Sequence, residues 1–547
     1  MSESNSTKTT GILKQGSILA MTSILVRIIG MVYRIPMANI IGDEGNGVYS
    51  TAFEIYNILL IISSYGMPMA VSKMVSAKLA KKRYKEARRV FRCSLLFSVI
   101  SGGLAALFVF IFAGTLENTL FSAYKGITIP LRILAPTIFV VAVMGVYRGF
   151  FQGQGTMIPT ALSQVIEQIV NAFVSVYAAY ILIIMHSADP KMPAWGAAGG
   201  TLGTCLGAVS AFIVLMVIYF LQRKSFKRRV SHDKRPQIQS VKSTYVLIFM
   251  TVIPIVLSQT VYQLSGIIDS TIFGKGMEFL GHSHIKIKTL WGIYSTKYRL
   301  LVSVPIAVST AIASSMIPSL VQSIVSRDKK AVVYKVNLSI KFNMIIAIPS
   351  AFGLMVLANP ILKLLFRNSD YKTGSLMLIL GSFCVVFYAL STMTSGVLQS
   401  IDKMSLPVYH SLISLVIHVV LVLILLLFTP LGVYAMVIGN VTYPLGVCIL
   451  NAISVRKYLK IKQETKTTFI LPTIASLVMS VCTILAYAIV NKVFPRLIVT
   501  VPVALIVAVC SYFVVLLKIN TLTKQELFEF PFGRKMYILA TKLRIMK

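Results

Sequence analysis

The sequence is poor in charge, and poorest in acidic charge. Of its 547 residues only 13% are charged, and 17 Asp and Glu residues stand against 53 Lys and Arg residues. A water-soluble domain carries about 25% charged residues, so a soluble globular protein is excluded and much of the apolar surface must face lipid. The net charge of +36 does not indicate a nucleic-acid partner, because such proteins carry a basic stripe on a soluble domain.

The sequence also lacks the motifs of several enzyme classes. We find no phosphate-binding P-loop, no His-Glu-x-x-His zinc motif and no Gly-x-Ser-x-Gly nucleophile elbow. The six cysteines lie in apolar segments without paired spacing, which is typical of small buried side chains. We therefore expect no enzymatic activity, no cofactor and no metal site.

Long uncharged runs are what the sequence has in abundance. About 20 residues in a helix cross the hydrocarbon core of a bilayer, and ten separate runs of that order carry no charge. The longer run 404–455 is broken at 429–432 (TPLG) and gives two crossings, and segments near 15–41 and 128–147 add two more. These runs predict an all-α integral membrane protein with about 14 transmembrane helices.

Basic residues are distributed unevenly between the loops. With the N-terminus in the cytoplasm, 35 Lys and Arg residues lie on that side and ten on the other. Positive residues accumulate in cytoplasmic loops, so we predict a multi-pass protein of the cytoplasmic membrane with both termini in the cytoplasm. The same excess favours contact with anionic membrane lipids.

An internal repeat organises the chain. The segment 47–51 (GVYST) recurs as 292–296 (GIYST), 245 residues later. The repeat predicts two parallel six-helix halves with a substrate site between them, as in transporters, and two extra C-terminal helices. The predicted divisions are an N-terminal lobe at 1–222, a basic cytoplasmic loop at 223–243, a C-terminal lobe at 244–456, two added helices at 457–518 and a basic amphipathic tail at 519–547.

Ionised side chains inside the predicted helices indicate the site. Each costs about 2.5–3.5 kcal/mol at the bilayer centre unless it faces a cavity or a partner. Eight of these side chains are basic and three acidic, which favours an anionic substrate, and arginine is well suited to phosphate groups. The candidates for substrate binding are Arg27, Arg34, Glu54, Lys297 and Arg299.

Helical spacing relates these candidates to one another. Arg27 and Arg34, seven residues apart, lie within about 20° on one helix face. Glu54 and Arg299 occupy equivalent positions in the two repeats, so we predict either a gate pair or two separate structural ion pairs. Lys297 and Arg299 point about 200° apart on their helix, so only one of them is expected to face the cavity.

Two acids are candidates for coupling transport to an ion. Asp269 and Glu167 lie within predicted helices, where a carboxylate can bind a proton or cation or make a structural hydrogen bond. Basic residues near the cytoplasmic helix ends are expected to extend towards the lipid headgroups, and these are Lys73, Arg148 and Lys341. The four-residue spacing of Gly199, Gly203 and Gly207 predicts a close approach of a neighbouring helix.

Several short segments resemble a known family. The segments 26–30 (VRIIG), 34–36 (RIP), 41–45 (IGDEG), 66–68 (GMP) with Ser72-Lys73, and Gln152-Gly153 resemble the polysaccharide-transport and stage V sporulation protein B branch of the multidrug/oligosaccharidyl-lipid/polysaccharide (MOP) exporter superfamily. The resemblance covers almost the whole chain. It implies a bacterial flippase that moves undecaprenyl-pyrophosphate-linked precursors such as lipid II by alternating access.

The resemblance also has implications for individual segments. It implies that Arg27 and Arg34 line the cavity and that the two added helices form a groove for the lipid tail. The sequence departs from the related lipid II flippases at Leu60-Ile61, where those proteins often carry basic residues, so another lipid-linked oligosaccharide stays open as the substrate.

Two other functions remain as alternatives. A cation-coupled multidrug antiporter of the same superfamily would have a cavity dominated by carboxylates and usually twelve helices. A non-transporting scaffold for cell-wall assembly would leave the buried arginines unexplained. The expected partners are a lipid-linked anionic glycan, membrane lipids and a coupling cation or proton.

Overall fold

A computed structural model describes residues 2–233, 240–367, 369–461, 463–529 and 533–542. All regular secondary structure in these ranges is helical. The chain divides into two compact units at 292/293. The helices of the first unit are α1 (Ser2–Leu60), α2 (Met67–Ala80), α3 (Tyr84–Thr119), α4 (Thr128–Gly153), α5 (Ile158–Met185), α6 (Met192–Ser231), α7 (Val241–Phe279) and α8 (His284–Ile293).

The second unit contains the remaining helices. Short π-helical segments precede two of them, at Tyr294–Tyr298 and Lys466–Ile470, and a third π-helical segment, Ile61–Tyr65, joins α1 to α2 in the first unit. The helices are α9 (Arg299–Val325), α10 (Lys329–Val356), α11 (Ala358–Leu365), α12 (Tyr371–Gly381), α13 (Cys384–Ser400), α14 (Ser405–Phe428), α15 (Val433–Leu459), α16 (Leu471–Val493), α17 (Leu497–Lys518), α18 (Lys524–Glu529) and α19 (Gly533–Lys542).

The predicted all-helical membrane fold is confirmed, but the number of about 14 helices is not. Within the described ranges, 11 helices are long and apolar enough to cross a membrane, or 12 if the bent pair of α12 and α13 forms one crossing. One reason is that Leu25–Ala80 forms a single apolar segment of 56 residues. This is far longer than the about 20 residues that one crossing needs, and it contains a break at Gly42, whose φ of 74° is non-helical. A second reason is that α7 contributes only a shorter apolar helix, Val241–Ile253.

Helix α7 packs with the N-terminal helices. Tyr124 donates a hydrogen bond to the backbone oxygen of Ser270 in α7, with an oxygen–oxygen distance of 2.9 Å, and the rings of Phe273 and Trp291 stack 5.5 Å apart. The first compact unit therefore extends to Gly292, beyond the lobe boundary drawn from the repeat. The predicted lobes at 1–222 and 244–456 stay a prediction about repeat symmetry.

The two helices beyond the predicted repeat, α16 and α17, pack against each other and against α10. The hydroxyl of Tyr512 in α17 donates to the backbone oxygen of Ile345 in α10 at 2.8 Å. The short helix α18 that follows is held to α10 as well, because the Lys341 ammonium contacts both carboxylate oxygens of Glu526, at 2.8 and 2.9 Å. Lys341 is therefore buried in an ion pair, instead of extending to the headgroups as its position in the sequence suggested.

The predicted glycine stripe of α6 lies against α5. A Cβ atom on Gly199 would overlap the backbone of Ala179, and one on Gly207 would lie 2.7 Å from the backbone oxygen of Glu167. Gly203 lies against the backbone of Ser175 in the same way. The close approach predicted from the spacing is confirmed, and it fixes how α5 presents its polar residues.

Replacing a glycine of this stripe is expected to separate the two helices. Overpacking a core contact costs about 1–3 kcal/mol, so Gly203→Leu should lower the thermal unfolding temperature and the yield of monodisperse protein in detergent. Gly114→Leu is the matched control, since a Cβ atom at Gly114 of α3 has no neighbour within 4 Å in the described structure. Equal unfolding temperatures for the two variants would show that the α5–α6 contact does not limit stability.

Candidate functional site

Helix α1 carries the two arginines predicted to bind substrate. Arg27 is exposed and Arg34 is half-buried. The guanidinium carbon of Arg34 lies 5.8 Å from the ring centre of Phe53, a distance typical of a cation–π contact. Its Nε is buried, and within the described ranges no hydrogen-bond partner is found for it. Because a buried donor without a partner costs about 1–3 kcal/mol, an acceptor oxygen of a ligand would be favoured there.

A polar network fixes α1 beside Arg34. The side-chain amide of Asn171 in α5 donates to the hydroxyl of Tyr33 at 3.0 Å. The hydroxyl of Ser175 donates to the Asn171 amide oxygen at 2.7 Å and lies 2.9 Å from the backbone oxygen of Gly200 in α6. The sequence analysis missed these residues, although the i, i+4 spacing of Asn171 and Ser175 in an apolar helix was a visible signal.

Glu167, one of the two coupling candidates, forms an ion pair. Its Oε2 lies 2.6 Å from Nη2 of Arg148 in α4, and the Nε of Arg148 donates to the hydroxyl of Ser163 at 3.1 Å. Arg148 therefore turns towards α5. The sequence analysis had expected it to extend to the lipid headgroups instead. The pair connects α4 to α5 and compensates two charges that are expensive to bury separately.

Asp269, the other coupling candidate, lies on α7 near Glu54. A Cβ atom on Gly266 of α7 would be 3.7 Å from the Oε1 of Glu54, and Asp269 follows Gly266 by about one helical turn. Asp269 is only 7% exposed. The structure thus brings Glu54 to the segment of α7 that carries Asp269. Groups of three or more His, Cys, Asp or Glu side chains able to hold a metal ion are not found among the described residues.

The repeated segments contact each other reciprocally. A Cβ atom on Gly47 of α1 would overlap the backbone oxygen of Lys288 in α8, and one on Gly292 would overlap the backbone oxygen of Asp43. Lys288 and Gly292 follow Asp43 and Gly47 by the repeat distance of 245 residues, so the two contacts exchange equivalent positions, as across a two-fold axis. An ion pair between the Lys288 Nζ and the Glu44 Oε1, 2.7 Å apart, adds to this crossing.

Lys297 and Arg299 lie in the second unit, on either side of the start of α9. Lys297 is 1% exposed, and its Nζ donates to the backbone oxygen of Asp370 at 2.7 Å. Arg299 is half-buried, with its guanidinium carbon 5.9 Å from the ring centre of Tyr294. The two side chains therefore have different surroundings, and the expectation that only one of them faces the cavity stays a prediction. Glu54 belongs to the first unit, so its predicted pairing with Arg299 stays a prediction.

Asp370, whose backbone oxygen accepts the hydrogen bond from Lys297, also has a shifted side-chain pKa. Partial burial acts to raise the pKa of the Asp370 carboxyl, but hydrogen bonds from Thr373 and the nearby charge of Lys297 outweigh it and hold the pKa below its ordinary value. Asp370 accepts from the backbone nitrogen of Thr373 at 3.0 Å and from its hydroxyl at 2.6 Å, which caps the start of α12. Lys297 thus contacts a structured loop of its own unit.

Comparison with known proteins gives the family. The family described as polysaccharide biosynthesis protein matches residues 12–324, and the family described as MatE matches residues 299–424. The chain is similar to the lipid II flippase MurJ of Bacillus subtilis, with 26% identity over 420 residues that cover 75% of this chain and 76% of that protein. It is similar to the stage V sporulation protein B of the same organism, with 24% identity over 455 residues that cover 83% and 85%.

Solved structures agree on the fold. A lipid II flippase MurJ in an inward closed conformation matches with a TM-score of 0.64 and 16% identity, covering 90% of this chain and 97% of that one. An inward-facing multidrug resistance transporter of the MATE family, also of the MOP superfamily, matches with a TM-score of 0.65 and 16% identity, covering 80% and 99%. The family match spans more than half of the chain, and it agrees with the relatives and with the helical membrane fold. The protein therefore belongs to the polysaccharide biosynthesis protein family, is homologous to MurJ and stage V sporulation protein B, and is a multi-pass membrane protein with the fold of MurJ and MATE transporters.

Proposed function

We propose that the protein is a flippase for an anionic lipid-linked oligosaccharide, lipid II or a related undecaprenyl-pyrophosphate-linked precursor of the cell envelope. It moves this substrate across the cytoplasmic membrane by alternating access, with both termini in the cytoplasm. The observation that carries the proposal is Arg34, a half-buried guanidinium on α1 whose Nε lacks a partner within the described structure. A pyrophosphate oxygen is the acceptor that best suits such a donor.

The arrangement of α1 supports an extended anionic headgroup. Arg27 lies about 10.5 Å from Arg34 along the helix axis and on the same face, and it is exposed. The headgroup enters at one arginine and is held at the other. Asn171 and Ser175 keep α1 in place through Tyr33, so the second arginine is positioned before the substrate arrives.

The reciprocal crossing of α1 and α8 supplies a closed state. The charge distribution places Lys288 outside the cytoplasm, so we expect this contact to close the outer end of the first unit. Alternating access requires this contact to part. The ion pair between Glu44 and Lys288 then exchanges its partners for water.

Coupling to an ion is a feature that a flippase and the alternative antiporter can share. The MATE-family neighbours share the fold, and the Glu54 carboxylate lies beside Gly266, about one helical turn before Asp269 on α7. We propose Asp269 for coupling, because it is a buried carboxylate on a helix of the membrane fold and such residues mark proton and ion pathways. Glu167 is assigned to the structural ion pair with Arg148.

Substitution of Arg34 is expected to slow transport of the anionic headgroup strongly. Loss of a hydrogen bond to a charged group costs about 1.5–3 kcal/mol, so Arg34→Ala should reduce flipping about tenfold or more. The measurement is depletion of the protein in its own host, complementation with the variant, and extraction of the undecaprenyl-linked intermediates that accumulate facing the cytoplasm.

The control is Lys224→Glu, a charge change at an exposed position of α6. Lys341 is unsuitable as a control because it is buried in its pair with Glu526. Normal amounts of intermediates in the Arg34→Ala strain, at wild-type protein level, would refute the role of Arg34. Accumulation of lipid II would assign peptidoglycan synthesis, whereas accumulation of another lipid-linked glycan would assign a different polysaccharide. Increased sensitivity to cationic drugs without any accumulated intermediate would favour the antiporter.

Locking the crossing of α1 and α8 is expected to stop transport. Glu44→Cys and Lys288→Cys replace the two ends of the ion pair, in a background without the accessible cysteines Cys205, Cys482 and Cys510. A reducible thiol cross-linker should join them and halt flipping, and reduction should restore it. Each single-cysteine variant treated with the same reagent is the control. Undiminished flipping by fully cross-linked protein would show that the contact does not open during transport.

A further inference from the structure

A groove lies between α2 and α4, and its lining residues in the described structure do not include the arginines of α1. It has a volume of about 530 Å³. Its walls come from the end of α1, the π-helical segment Ile61–Tyr65, one face of α2 and one face of α4. The lining residues used below are Leu60, Met69, Val141, Lys73, Arg148 and Gln152.

The two walls are held together by small residues. A Cβ atom on Gly149 would lie 2.5 Å from the backbone oxygen of Pro68, and one on Gly153 would lie 2.8 Å from the side chain of Val75. These contacts fix the relative register of α2 and α4, so that the two helices run side by side in the same direction. The groove follows them for about 17–20 Å, given the rise of 1.5 Å per residue.

Polarity changes along the groove. Leu60, Met69 and Val141 line the part towards the membrane interior, and Met69 is well exposed. Lys73 and Gln152 line the other part, near the loops that the charge distribution places in the cytoplasm. The groove thus has an apolar half at membrane depth and a polar half at the predicted cytoplasmic surface.

The polar half carries a positive charge that the protein does not compensate. Arg148 is paired with Glu167, but no ion-pair partner for Lys73 is found in the ranges that the structure describes. No carboxylate is among the described residues that line the groove. Two segments that the sequence resemblance singled out, Ser72-Lys73 and Gln152-Gly153, meet here, and the flippase proposal assigns neither of them a task.

We propose that this groove binds a lipid with a negatively charged phosphate headgroup. The phosphate lies at Lys73, with Gln152 and Arg148 as further donors, and the acyl or isoprenoid chain follows Met69 and Leu60. Basic pockets between helices at the cytoplasmic side are sites of this kind. The lipid is either an anionic phospholipid of the inner leaflet or an undecaprenyl-linked molecule, since both have the same phosphate and apolar chain. Binding here does not depend on flippase activity, so the two proposals can fail separately.

Photo-crosslinking from the apolar half tests the proposal. A benzophenone amino acid replaces Met69 in the full-length protein, which is placed in nanodiscs of phosphatidylcholine containing a minor fraction of phosphatidylglycerol. A second set of nanodiscs contains undecaprenyl phosphate at the same fraction. Mass spectrometry of the irradiated protein should show the anionic lipid enriched about fivefold over its mole fraction, the factor expected for one lysine near an anionic headgroup. Enrichment in one set of nanodiscs and not in the other identifies the source of the ligand.

Variants of Lys73 separate charge recognition from simple lipid contact. Lys73→Glu should remove the enrichment, Lys73→Arg should keep it, and Lys224→Glu is the control for an equal charge change outside the groove. Ser72→Trp, which fills the groove and leaves Lys73 in place, guards against misfolding of the first variant and should reduce cross-linking of both lipids. Adducts that follow the bulk lipid composition in the wild-type protein, or enrichment that survives Lys73→Glu, would overturn the proposal.

Discussion

The cost of an ionised side chain in a low-dielectric interior is the constraint that shapes this protein. Removing one partner of a buried ion pair costs about 3–5 kcal/mol, so charges inside the helices must find partners or a ligand. Arg148 and Glu167 connect α4 to α5, and the pair of Lys341 with Glu526 ties the segment after α17 to α10. Glu167 was a candidate for coupling and Lys341 was expected to extend to the headgroups, but both instead hold helices together.

The reciprocal crossing of α1 and α8 shows how the repeat shapes the structure. Gly47 and Gly292 are equivalent in the repeat. Gly47 lies against Lys288 and Gly292 lies against Asp43, and these two contacted residues are also equivalent. Two backbones therefore meet at equivalent positions of the repeat, and the ion pair between Glu44 and Lys288 adds a side-chain contact to them.

The fold class and the contact of α6 with α5 could be predicted from the sequence, because uncharged runs and glycine spacing are local patterns. The number of crossings could not, since Leu25–Ala80 forms one continuous apolar segment, which the non-helical backbone at Gly42 interrupts. The partners of the charged side chains could not be predicted from the sequence either. Lys341 meets a carboxylate 185 residues away, and Arg148 turns to α5 because α4 and α5 are adjacent in space. The network of Tyr33, Asn171 and Ser175 depends in the same way on which helices pack together.

The ion-paired charges hold helices together, so the candidates for ligand contact are the cations outside these pairs. Arg34 retains a buried nitrogen without a partner, and Lys73 faces a groove that no carboxylate lines, both within the described structure. The two sites differ in surroundings. Arg34 lies beside the aromatic ring of Phe53, whereas Lys73 stands at the polar end of a groove whose other half is apolar. A lipid-linked glycan has a polar headgroup and an apolar chain. Under the two proposals, Arg34 meets the headgroup and the groove at Lys73 meets a phosphate with its chain attached.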